Sequence, residues 1–152
     1  MDYGGIVMET IKLTYPVEGG DLIEAGEASS KMKLTLKKLG LPQDVIRRAS
    51  ICMYEGEINM VIHADGGQAQ VEVGMDQIVI RMEDTGPGIP DVEQAMQEGW
   101  STAGATAREL GFGAGMGLPN MKRYSDDMTV ESRPGEGTTV TLVIRIPQPC
   151  EA

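Results

Sequence analysis

Gln77-Ile78-Val79-Ile80-Arg81-Met82-Glu83-Asp84-Thr85-Gly86-Pro87-Gly88-Ile89-Pro90 changes character half-way along. Ile78, Ile80 and Met82 alternate with their neighbours, the period of a half-buried strand, and Val71, Val73 and Met75 do the same just upstream. Two strands joined near Asp76 are expected. Beyond Met82 stand an acid and a turn rich in Gly and Pro. Alternation puts Asp84 on the face of Ile80 and Met82, the one that meets the helices.

Outward from there, Asp65, Gly66 and Gly67 mark a turn, preceded by a helix expected from about Pro42 to Ala64. Pro stands at its start, and it is apolar on more than one side, as a central helix is. An earlier helix is expected from Asp21, read as its cap, with Ala25, Ser29, Met32, Leu36 and Leu39 at helical spacing and Gly40 and Pro42 ending it. Its acids lead and its lysines follow, as the helix dipole favours. A first strand is expected over Ile6–Val17, stopped by Pro16 and the pair Gly19-Gly20. Downstream, a short helix (Pro90–Gln97), a Gly-rich loop (Gly99–Gly115) and a helix (Met116–Tyr124) precede strands Met128–Ser132 and Thr138–Ile146, hairpinned through Pro134-Gly135-Glu136-Gly137. This order predicts an α+β fold, a two-layer sandwich with helices on one face of a mixed, mostly antiparallel sheet. One domain over residues 1–152 is expected, with 147–152 a short tail.

The 13 basic and 23 acidic side chains leave a net charge of −10, which repels nucleic-acid phosphates and anionic lipid. No apolar run approaches the roughly 18 residues of a membrane span. Neither nucleic acid nor membrane is expected as a partner. Cys52 and Cys150 make no disulfide framework, and the start MDYGGIVMET has no positive region before an apolar stretch, so a cytoplasmic protein is expected. The same net charge opposes an anionic nucleotide, whose site would need a cation, backbone N–H groups and local bases.

Four places depart from plain folding logic. Glu55 and Asn59 share one face of the second helix, bordered by Ile51, Ile58 and Ile62, where polar groups are costly to desolvate without a ligand or cation. Glu55 snorkelling to water is the other reading. Gly56, costly by about 1 kcal/mol in a helix, implies a close approach to the backbone. Asp84, pointing inward, needs a donor such as the adenine amine, and Gly86 and Gly88 leave room for a flat base; an ordinary turn has the same residues. Gly111-Phe112-Gly113-Ala114-Gly115-Met116-Gly117-Leu118-Pro119 feeds a helix N-terminus and offers N–H groups to a phosphate, although flexible loops look alike. Residues 101–108, small and polar, suit a lid. Thr138 shares a face with Val140, Leu142 and Ile144, so its hydroxyl could reach the Asp84 region. His63 has no second His or Cys nearby, and packing is expected rather than zinc.

Together and in this order, the four segments resemble the boxes of the GHKL ATPase superfamily, over residues 51–146. Within it the chain looks like the anti-sigma-factor serine kinase branch, particularly switch-type kinases acting on sulfate-transporter-and-anti-sigma (STAS) domains. Residues 83–91, Glu98-Gly99-Trp100-Ser101-Thr102 and Gly113–Pro119 carry that closer likeness. The resemblance implies the Bergerat ATP-binding fold and a cytoplasmic serine/threonine kinase using ATP and Mg²⁺ in an anti-sigma/anti-anti-sigma circuit. Its partner would be a STAS-domain protein or a sigma factor; a homodimer is left open. The alternative is an ATP-binding module that sequesters a regulator with little transfer. Glu55 would be the catalytic base and Asn59 the Mg²⁺ ligand. Asp84 would receive the adenine amine, with Gly86, Gly88, Ile89 and Thr138 around the base, and Gly111, Gly113, Gly115, Met116, Gly117 and Leu118 would serve the phosphates. Gly56 and Met60 depart from the family's small non-glycine residues, and Ala105–Leu110 lengthens the lid.

Overall fold

The computed structural model describes residues 2–3, 6–7, 10–19, 25–64, 66–86, 96 and 117–148. Strands β1 (Asp2–Tyr3) and β2 (Ile6–Val7) pair with each other. The main sheet comprises β3 (Ile11–Glu18), β4 (Gly66–Val73), β5 (Gln77–Asp84), β6 (Asp127–Arg133) and β7 (Gly137–Arg145). Its order is β3-β4-β5-β7-β6, with all four pairings antiparallel. Three helices, α1 (Glu27–Lys38), α2 (Gln43–His63) and α3 (Gly117–Tyr124), complete the described fold. The expected α+β architecture is present. The elements expected over Pro90–Gln97 and Gly99–Gly115 lie outside the described residues.

Alternation decides which face is covered. Ala69, Val71 and Val73 of β4, Ile78, Ile80 and Met82 of β5, and Val140, Leu142 and Ile144 of β7 are buried with Met32, Leu36, Met53 and Met121 of the helices. The intervening residues, such as Glu72, Arg81 and Thr141, are exposed or half-buried. At roughly 25 cal/mol per Å² of apolar surface removed from water, this one-sided layer supplies the main folding drive.

Several boundaries differ from the sequence reading, among them the end of β4 at Val73, which leaves Met75 outside the strand and 64% exposed. The first main strand begins at Ile11, and Pro16 lies within it, opposite Gln68. β3 is an edge strand, where a missing N–H is tolerated. α1 begins at Glu27 behind Gly26, whose φ of 98° suits glycine, and Asp21 lies outside the described residues. Leu39, at the C-cap, is 40% exposed rather than part of the buried stripe.

The cap of α1 is supplied from α2. Glu57, 3% exposed, accepts hydrogen bonds from the N–H groups of Gly26 and Ala28 through Oε2 and of Ser29 through Oε1, each at 3.0 Å. A buried carboxylate is costly unless its oxygens are saturated, and the free N–H groups of a helix start saturate them. Replacing Glu57 with Ala leaves those donors without partners, and a stability loss of about 3 kcal/mol is expected in urea unfolding. A loss under about 1 kcal/mol would mean that water replaces the carboxylate.

Candidate nucleotide site

α2 is buried along much of its length, and Glu55 and Asn59 lie half-buried on one face of it. α3 runs antiparallel beside that face. A Cβ on Gly117 would lie 2.9 Å from Asn59 Nδ2 and 3.0 Å from Oδ1, so the backbone of α3 starts directly against this carboxamide. Further down, Cys52 Sγ lies 3.6 Å from the Met121 carbonyl oxygen. At the far end Arg48 Nε–H donates to the Tyr124 carbonyl at 3.0 Å and its guanidinium pairs with Asp126 at 2.9 Å. The Cys52 thiol is pushed up to about 12, chiefly by burial, which makes it inert packing rather than a nucleophile.

The close approach at Gly56 comes from the core: a Cβ there would collide with Met82 Sδ and lie 3.1 Å from Met121 Cε. Gly56 therefore lets the sheet and α3 close on α2, a packing need rather than a ligand's.

Asp84 ends β5 at the edge of the apolar face. Its Oδ1 accepts the N–H of Gly86 at 3.0 Å and of Thr138, across on β7, at 3.2 Å. Two donors fix the carboxylate through one oxygen, and no described residue hydrogen-bonds to Oδ2. Gly86 is crowded, since a Cβ there would lie 2.7 Å from Ala64 Cα at the end of α2. Thr138 is buried at 8% exposure, as the alternation along β7 predicts. The structure thus brings Glu55, Asn59 and Gly117 together at one helix pair, and Asp84, Gly86 and Thr138 at the end of the sheet beside the C-terminus of α2. Leu118 is buried in the core under the start of α3. Gly88, Ile89, Gly111, Gly113, Gly115 and Met116 lie outside the described residues. His63 has an interaction of its own, and burial holds its imidazole below the usual range.

Over residues 46–148 the sequence matches the family described as histidine kinase-, DNA gyrase B-, and HSP90-like ATPases. The chain belongs to this ATPase family. Such an ATPase fold is also seen in a mycobacterial sensor histidine kinase, MprB, with a TM-score of 0.53 at 14% identity, covering 90% of this chain and 98% of that one. At that identity the likeness is one of fold. Among curated relatives, the chain is 34% identical over 111 residues to the serine/threonine-protein kinase RsbT of Bacillus subtilis, covering 70% of this chain and 77% of that protein. It is 36% identical over 99 residues to the anti-sigma F factor of Pasteuria penetrans, covering 60% and 63%. A third match, to the anti-sigma F factor of Bacillus licheniformis, is 31% identical over 113 residues, covering 70% and 74%.

Two residues in contact with candidate site residues were not singled out in the sequence. Asn120, on α3, hydrogen-bonds to Glu55, and Ser132, on β6, touches Thr138. Only the α2–α3 pairing and the β6–β7 register reveal them.

Burial holds the Glu55 carboxyl above its usual range, with the Asn120 hydrogen bond opposing. A raised folded value means tighter proton binding in the folded chain, so stability falls as pH rises from the unfolded value, about 4.3, through the folded one. Glu55→Gln is therefore expected to raise the Tm relative to wild type at pH 7, with the gain vanishing in acid below that range. A difference that is constant with pH would contradict this.

Proposed function

We propose that this chain is an ATP-dependent serine/threonine protein kinase and a regulator in an anti-sigma/anti-anti-sigma partner-switching circuit, phosphorylating a STAS-domain partner in the cytoplasm. The observation that carries the reading is the stripe of Glu55 and Asn59 facing the start of α3, in a chain whose relatives include one named serine/threonine-protein kinase and several named anti-sigma F factor. Residues 1–152 act as one ATP-binding domain.

Asp84 accepts the adenine amine through the oxygen that Gly86 and Thr138 leave open, and Gly86, Gly88, Ile89 and Thr138 border the base. Gly111, Gly113, Gly115, Met116, Gly117 and Leu118 hold the phosphates through backbone N–H groups and packing, which offsets the unfavourable net charge. The Asn59 carboxamide fits a magnesium ion: it is a neutral oxygen donor that no described residue hydrogen-bonds. Among the described residues no group of three or more His, Cys, Asp or Glu could form a protein cage, and magnesium is commonly held by few protein ligands together with substrate phosphates. When bound, it would neutralise phosphate charge. Glu55 accepts the proton of the attacking serine or threonine hydroxyl, whose oxygen bonds to the γ-phosphorus as the bond to the ADP oxygen breaks.

A second reading, sequestration of a sigma factor or other regulator with little transfer, draws on the relatives named anti-sigma F factor. Glu55→Gln separates the two. In transfer of γ-labelled ATP to a captured native partner, label is expected to fall by about 100-fold or more while ATP affinity holds. Undiminished transfer refutes the role of Glu55. Partner control that survives loss of transfer favours sequestration.

A further inference from the structure

α2 and α3 meet along a seam of polar contacts. Arg48, Cys52, Glu55 and Asn59 succeed one another on α2 at helical spacing, as do Gly117, Met121 and Tyr124 on α3, with Asn120 beside Met121. Because the helices are antiparallel, the contacts run in opposite order. Arg48 meets the Tyr124 carbonyl at 3.0 Å, Cys52 the Met121 carbonyl at 3.6 Å, Glu55 the Asn120 side chain, and Asn59 the backbone at Gly117.

The far end of the seam is fixed. Arg48 also pairs with Asp126 at 2.9 Å, Asp126 Oδ2 accepts the N–H of Arg145 on β7 at 2.6 Å, and the Arg47 guanidinium lies 5.7 Å from the centre of the Tyr124 ring. α3 is thereby tied at its C-terminus to α2 and to the sheet, while its N-terminus abuts Asn59. Those contacts hold the helix; the one at Asn120 holds the Glu55 carboxyl. Both side chains are half-buried. A glutamate with three rotatable bonds is otherwise free to turn its oxygens away from an acceptor. Asparagine donates through an uncharged Nδ2–H, so it fixes a carboxylate without the ion pair that would draw off its basicity.

We propose that Asn120 is a positioning residue for phosphoryl transfer, fixing the Glu55 carboxylate so that its remaining lone pairs face the incoming serine or threonine hydroxyl. The inference rests on the role of Glu55 proposed above and adds the group that aims it. Asn120 acts through Glu55 alone.

The test is steady-state transfer from γ-labelled ATP to the captured native partner by the intact chain, with magnesium, and ATP affinity by calorimetry. Asn120→Ala is expected to lower kcat by about 10-fold or more, the worth of one hydrogen bond to a charged group, with the Kd and KM for ATP unchanged. In a Glu55→Gln background, Asn120→Ala is expected to lower the residual transfer no further, because no base remains to be aimed. Asn120→Asp keeps the shape of the side chain and sets a second carboxylate against Glu55, so its kcat is expected to fall at least as far; this variant carries the test should the alanine form not fold. A wild-type kcat in either variant overturns the proposal. So does an equal loss from Asn120→Ala in both backgrounds, the mark of a residue acting through the fold, and so does a loss confined to Kd or KM, which would place Asn120 with the nucleotide. Undiminished transfer by Glu55→Gln, or no transfer by wild type, would instead overturn the reading on which the inference rests.

Discussion

The structure depends on keeping α2 in close contact on three sides. The sheet presses on it through Met82, α3 through Met121, and α1 is tied to it by Glu57. Gly56 is the point at which the first two pressures meet, and a side chain there would force them apart. A helix so enclosed has little freedom to rotate. The face it turns toward the start of α3 is held in place, and that face carries Glu55 and Asn59.

Packing and chemistry are therefore coupled at every turn of α2. Glu57 points to α1 and is satisfied; Glu55, two residues earlier, faces α3, and burial raises its proton affinity. The same helix thus holds one carboxylate saturated by a helix start and one that burial pushes toward its protonated form, the one proposed as the base. At the sheet's end, Asp84 is fixed by two backbone donors through a single oxygen. The acid is rigid and still has a lone pair to give, as recognition of an amine requires.

Much of this was legible in the sequence because it follows from period. Alternation located β4, β5 and β7 and put Asp84 and Thr138 on the covered face, and helical spacing put Glu55 and Asn59 together. Contacts between elements distant in the chain were not legible. The cap of α1 is a glutamate some thirty residues on, where local capping rules pointed to Asp21. Gly56 signalled a close approach to the backbone, but only the packing shows that two methionines make it. Asn120 and Ser132 look like ordinary polar residues until the α2–α3 pairing and the β6–β7 register bring them to Glu55 and Thr138. The motif over residues 111–116, read from glycine spacing, lies outside the described residues.

The central claim is that the carboxylate closing β5 selects the base of a bound triphosphate. The direct measurement is the ratio of ATP to GTP dissociation constants, with magnesium, for wild type and Asp84→Asn. A strong preference for ATP in wild type that collapses in the variant, with the fold intact by circular dichroism, is the predicted result. Failure of wild type to bind ATP, or a preference that survives the substitution, would contradict the account.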